Sequence, residues 1–122
     1  WKYACILRSP EARAPFYVDT AHRAALLYAF ACALLGELCA RSAFSPAVNL
    51  IAAIAVIAFF AFAVLGYVVH GAPDDTANQL RRPPRPGGGT ASNAPALAFM
   101  LALMAVEIGG FLVIFVGYLA GL

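Results

Sequence analysis

The sequence predicts an all-α fold, an integral membrane bundle of three transmembrane helices, and three observations support this. Hydrophobic residues make up 63% of the chain and charged residues only 11%, far from the balance of soluble globular proteins. Three apolar stretches are each long enough to cross about 30 Å of hydrocarbon as a helix. The basic residues gather on one side of the topology that these stretches define.

The N-terminal segment, residues 1–23, is predicted to lie at the membrane surface. Trp1 and Tyr3 favour the headgroup level, so the first seven residues are expected to act as an interfacial anchor. Ser9, which a proline follows, has the pattern of a helix start. This pattern predicts a short surface helix that ends near Arg13.

Local start signals define the transmembrane domain, residues 24–122, and the pattern places its spans at residues 24–44, 47–69 and 96–122. Asp19 or Thr20 is expected to cap the start of the first span. Ser45 has the pattern of an N-cap with proline in the first helical position. The turn before Ser45 is so short that the first two spans are predicted to form a tight antiparallel hairpin.

The distribution of basic residues predicts the orientation of the chain. With three spans, the N-terminal segment and the loop at residues 71–95 share one side of the membrane. Of the eight Lys and Arg residues, all except Arg41 fall on that side. By the positive-inside rule, the N-terminus and this loop are cytoplasmic and the C-terminus is outside. The sequence therefore predicts a multi-pass protein of the bacterial cytoplasmic (inner) membrane.

Small residues predict where the helices make close contacts, because helix association in lipid depends on packing. The predicted contact residues on the first and third spans are Ala29, Ala33, Gly36, Gly110, Gly117 and Gly121. The third span carries two small-residue faces, which is more than a three-helix bundle needs. We expect the face with Gly110, Gly117 and Gly121 to contact another subunit.

Two carboxylates, Glu37 and Glu107, fall at similar predicted depth within the hydrocarbon. An ionised carboxylate there is costly unless paired, so each is expected to be protonated, hydrogen-bonded or ion-paired. One hypothesis is a proton or cation site in which the two groups share a proton, as in a small proton-coupled transporter or channel. The alternative pairs Glu37 with Arg41 one turn later and gives Glu107 a hydrogen bond to a neighbouring helix or subunit.

The only two histidines, His22 and His70, are predicted to lie at the same cytoplasmic interface. Neutral imidazole is a good iron ligand, so a haem- or quinone-binding anchor subunit is one hypothesis, with haem b as its cofactor. The alternative is a pair of interfacial histidines that face headgroups or loop carbonyls. No catalytic or metal-binding motif stands out elsewhere, so we predict no resident cofactor and no activity of the chain on its own.

The cytoplasmic loop carries Arg81, Arg82 and Arg85 among prolines, a composition that favours an extended chain. These arginines are predicted to contact a partner subunit or anionic lipid, and the charge pattern does not indicate nucleic acid. The sequence is best interpreted as a non-catalytic accessory or structural subunit of a larger membrane complex. Energy-transducing and oxidoreductase assemblies are natural hosts for such a subunit.

Cysteine labelling tests the predicted orientation. In a variant without the native cysteines, Gly88→Cys should react with an impermeant maleimide only after the cytoplasmic face is opened, because the loop is predicted to be inside. Leu122→Cys should react from outside in intact cells. The reverse pattern would contradict the assignment of sides.

Overall fold

A computed structural model describes residues 1–74, 78 and 94–122. Within these ranges the regular elements are helices: α1 (Lys2–Arg8), α2 (Phe16–Ala40), α3 (Pro46–Gly71) and α4 (Ala94–Ala120). Helices α2, α3 and α4 are long and apolar enough to span a membrane, which confirms the predicted fold class. The loop residues Arg81, Arg82 and Arg85 lie outside the described residues, so their contacts stay a prediction.

Helix α2 begins at Phe16 rather than at residue 24, with Pro15 in the N-cap position. The expected cap at Asp19 or Thr20 is therefore wrong. Thr20 Oγ1 donates to the Phe16 carbonyl at 2.9 Å, and Asp19 forms an ion pair with Lys2 at 2.5 Å. Because these polar groups find partners along the helix and on α1, the helix continues through them.

The segment before α2 also differs from the prediction. Helix α1 occupies positions that were expected only to be an interfacial anchor, and the expected helix from Ser9 to Arg13 does not form. Ser9 donates its hydroxyl to Glu11 Oε2 at 3.1 Å instead of capping a helix, and Ala12 has a left-handed φ of 52°. This turn brings α1 back onto α2.

The connection between α2 and α3 runs only from Arg41 to Ser45. Its end agrees with the prediction, since the Ser45 hydroxyl accepts the Val48 N–H at 3.4 Å and proline follows in the first helical position. Inside the connection, the Ser42 hydroxyl accepts the Phe44 N–H at 3.1 Å. These local bonds satisfy backbone groups that two helix ends would otherwise leave free.

Aromatic rings mark the contact between α2 and α3. Tyr17 stacks on Tyr67 with 5.8 Å between ring centroids, and Tyr28 stacks on Phe60 at 4.1 Å. The two helices therefore run antiparallel to each other. The buried cluster of the bundle consists of Leu35, Leu38, Ala52, Val56 and Ile114. Which end of the bundle faces the cytoplasm stays a prediction.

Helix α4 meets the other two helices through one repeating face. Its inward positions are spaced three and four residues apart, at Glu107, Gly110, Ile114, Gly117 and Gly121. Ile114 is fully buried. A Cβ added at Gly110 would lie 2.5 Å from Val56 Cγ2 and 3.3 Å from the Ala52 carbonyl oxygen. The missing side chain at Gly110 therefore lets α4 lie directly against α3.

The far half of α4 packs on the connection between α2 and α3. A Cβ added at Gly117 would overlap the Ser42 hydroxyl, and one added at Gly121 would overlap the Arg41 carbonyl. The Ala43 N–H donates to the Gly117 carbonyl at 2.9 Å. The glycine face that was expected to contact another subunit thus packs on α3 and on the α2–α3 connection of the same chain.

The predicted contact residues of α2, unlike those of α4, lie on the surface of the bundle. Ala29, Ala33 and Gly36 are exposed, and a Cβ added at Gly36 would meet nothing within 4 Å. These residues form an exposed stripe along α2, and their contact with another helix stays a prediction.

Adjacent glycines on α4 provide a matched test of this packing. Gly110→Ala should destabilise the bundle by about 1–3 kcal/mol, because the new methyl group forces α4 away from Val56. Gly109→Ala should leave stability unchanged or slightly higher, since a Cβ there would meet nothing within 4 Å and alanine favours the helix. Reversible unfolding in mixed micelles measures both variants. Equal effects would contradict the inward assignment of Gly110.

Candidate functional site

Glu107 lines a cavity of about 330 Å³ between the three long helices. Helix α2 contributes Leu35, α3 contributes Val56 and Phe60, and α4 contributes Glu107 and Phe111. Glu107 is the only ionisable side chain among the lining residues. The site is therefore an apolar pocket with a single carboxyl group.

The cavity has a closed floor and an open rim. Leu35 and Val56 form the floor and are only 3% and 1% exposed. Leu34, Ile108 and Leu112 line the opening and are all exposed. Exposed apolar side chains in the middle of a membrane-spanning helix face hydrocarbon, so the cavity opens towards the lipid.

One oxygen of Glu107 has an unusual environment. Oε1 is buried and has no hydrogen-bond partner among the residues that the structure describes. The sequence-based alternative gave Glu107 a hydrogen bond to a neighbouring helix or subunit, and neither α2 nor α3 supplies one to this atom. Buried polar atoms are nearly always paired, so this one requires an explanation.

Glu37 has a different environment, which agrees with its predicted alternative. Its carboxylate contacts Arg41 Nη1 one turn later, and the same nitrogen donates to the Glu37 carbonyl at 3.2 Å. Both side chains are exposed. The hydrogen bond to the Glu37 carboxylate raises the pKa of the Arg41 guanidinium above its ordinary value.

The structure does not bring the two carboxylates together. Helix α2 lines the Glu107 cavity with Ala31, Leu34 and Leu35 but not with Glu37, whose carboxylate contacts Arg41. The similar depth of the two carboxylates in the hydrocarbon stays a prediction. A proton shared between Glu37 and Glu107 gains no support from this geometry.

Each histidine contacts its own tyrosine. The His22 ring lies edge-on to Tyr3 with 5.9 Å between centroids, and the His70 ring lies 5.8 Å from Tyr17. Across residues 1–74, 78 and 94–122, no group of three or more His, Cys, Asp or Glu side chains is placed to hold a metal ion. The haem hypothesis for the histidine pair stays an untested prediction.

Asn49 is a buried polar residue that the sequence analysis missed. It is 6% exposed, and its Nδ2 donates to the Phe44 carbonyl at 3.3 Å. Its Oδ1 finds no partner among the described residues, and the side chain lines a second cavity of about 560 Å³ with Cys32 and Cys39. The sequence did indicate this residue, because Asn49 is the only amide side chain in the apolar run of α3.

The fold and the site together define a multi-pass helical membrane protein with one unpaired intramembrane carboxyl oxygen. In comparisons with protein families, curated proteins and solved structures, nothing matches this chain.

Replacing Glu107 with leucine tests whether the buried carboxyl group lowers the free energy of unfolding of the bundle. Glu107→Leu should stabilise the bundle by about 1 kcal/mol, because it removes an unpaired buried oxygen from a pocket with apolar walls. Ile108→Leu, at the exposed neighbouring position, is the control and should have no effect. Unfolding in mixed micelles measures both. A clear loss of stability in Glu107→Leu would mean that the carboxyl group has a stabilising partner.

Proposed function

We propose that this chain is a non-catalytic structural subunit of a larger membrane complex and that α2 is the helix that docks on its partner. The observation that carries the proposal is the exposed stripe of small residues on α2, formed by Ala25, Ala29, Ala33 and Gly36. Small residues spaced three or four apart on one helix face allow the backbone of a second helix to approach closely in lipid. On α4, the corresponding glycine face is already packed inside the chain.

A groove beside the α2 stripe supports the same proposal. It has a volume of about 470 Å³ and lies between the outer faces of α2 and α3. Ala29 lines it from α2 and Ala61 from α3, and both are exposed. Ridges of side chains on one helix pack into such grooves on another, so the occupant that fits is a transmembrane helix of a partner subunit.

The polar residues of the spans favour a structural role over proton transfer. Glu37 is engaged with Arg41, and among the described residues no second ionisable side chain lines the cavity of Glu107. A proton path needs a chain of such groups that leads to the surface. A proton-coupled transporter based on Glu37 and Glu107 is therefore the weaker proposal.

The cellular setting of the proposal rests on the sequence. The positive-inside rule supports a bacterial cytoplasmic membrane with the N-terminus inside. The cytoplasmic arginines Arg81, Arg82 and Arg85 can pair with carboxylates of a partner subunit or with anionic headgroups. An energy-transducing or oxidoreductase complex is the host that we propose.

Enlarging the stripe on α2 tests the proposed subunit contact. In mild detergent, the wild type should migrate as an assembly much larger than a 12.8 kDa chain. Ala29→Leu combined with Ala33→Leu should insert normally and then migrate as the free chain, because the larger side chains hold the partner helix away.

A matched enlargement controls for non-specific effects on the membrane. Val116 on α4 is exposed and does not line the groove between α2 and α3, so Val116→Phe should leave the assembly intact. Native gel electrophoresis of membranes from all three strains gives the comparison. Retention of the full assembly by the double variant would contradict docking through α2.

A further inference from the structure

We infer that the Glu107 cavity binds a hydrophobic cation, a lipid-soluble amine or ammonium compound with a single positive charge. Three features of the cavity support this: an unpaired carboxyl oxygen, apolar walls with two phenyl rings, and an opening towards hydrocarbon. The inference does not depend on the proposed subunit role, since the cavity and the α2 stripe lie on different faces.

The carboxyl group defines the charge of the ligand. An ionised Glu107 in hydrocarbon needs a cation, and its buried Oε1 has none among the described residues. Arg41 is engaged with Glu37, and the ionisable side chain that interacts electrostatically with Glu107 from α2 is Tyr28, a phenol. An ammonium group in the cavity would lie beside the carboxyl group of Glu107 and balance its charge.

The walls define the rest of the ligand. Phe60 and Phe111 line the cavity, and the faces of phenyl rings attract cations. Tyr28 stacks on Phe60 at 4.1 Å and fixes the orientation of that ring. Leu35 and Val56 close the floor, so the body of the ligand must be apolar. A volume of about 330 Å³ accommodates a compact molecule rather than a lipid with two acyl chains.

The rim defines the route of entry. Leu34, Ile108 and Leu112 are exposed at the opening, and Ile108 is 60% exposed. A ligand that partitions into the bilayer therefore reaches Glu107 from the side, through hydrocarbon. A neutral molecule of the same shape fits the walls equally well but leaves the carboxylate charge unbalanced. Selectivity for charge at constant shape is the property that distinguishes this site from a general apolar cavity.

A pair of isosteric probes tests this selectivity. The full chain is placed in nanodiscs of zwitterionic lipid, and binding of 1-naphthylmethylamine and of 1-naphthylmethanol is measured by naphthalene fluorescence near neutral pH. Empty nanodiscs supply the correction for partitioning into lipid. The wild type should bind the amine about tenfold more tightly than the alcohol, as expected for one charge-assisted hydrogen bond.

Two carboxylate variants assign the selectivity to one residue. Glu107→Gln keeps the size of the side chain and removes the charge, so the preference for the amine should fall below about twofold while alcohol binding is unchanged. Glu37→Gln is the matched control, since Glu37 is paired with Arg41 and does not line the cavity. This control should keep the preference of the wild type.

Two outcomes would overturn the inference. Equal binding of amine and alcohol by the wild type would contradict the inference. This comparison needs no variant, so it can be made even if Glu107→Gln folds poorly. An undiminished preference in a folded Glu107→Gln variant would also contradict it, because the selectivity would then come from another group or from the lipid.

Discussion

The packing of the bundle depends on how closely α4 approaches the rest of the chain. Hydrocarbon is as apolar as leucine, so helices in a membrane gain little from burying apolar surface against each other and rely on close contact. Gly110 and Gly117 permit that contact, and the Ala43 N–H reaches the Gly117 carbonyl as a result. Before Gly110, the inward positions of α4 carry Met100, Leu103 and Glu107, and cavities of about 290 and 330 Å³ lie beside them. Helix α4 thus lies close to its neighbours at Gly110 and Gly117, whereas cavities lie beside its earlier inward positions.

Local signals in the sequence were enough to predict three long apolar helices and the start of α3. The length of the apolar runs and the Ser45 cap depend on neighbouring residues alone, and both agree with the structure. The start of α2 was misplaced because Asp19 pairs with Lys2, a contact made possible by the turn at Ala12. Small residues on α4 correctly indicated a close contact. They could not indicate its partner, because a glycine shows only that another group comes near.

The same division applies to the candidate site. The pairing of Glu37 with Arg41 follows from their spacing on one helix and was predicted as an alternative. The cavity at Glu107 was not predictable, because its volume depends on side chains from three helices whose separation the sequence does not state. Asn49 was only partly predictable. Its position in an apolar run was visible, but the missing partner of Oδ1 is a property of the packed bundle.

The hydrogen bond between Ala43 and Gly117 has a consequence for biogenesis. The ribosome delivers α2 and α3 to the membrane before α4, and at that stage the Ala43 N–H has no protein acceptor from α4. Water at the membrane boundary must serve as its acceptor until the last helix arrives. The α2–α3 pair therefore enters the bilayer as an incomplete unit, and the Gly117 carbonyl replaces water at the Ala43 N–H when α4 arrives.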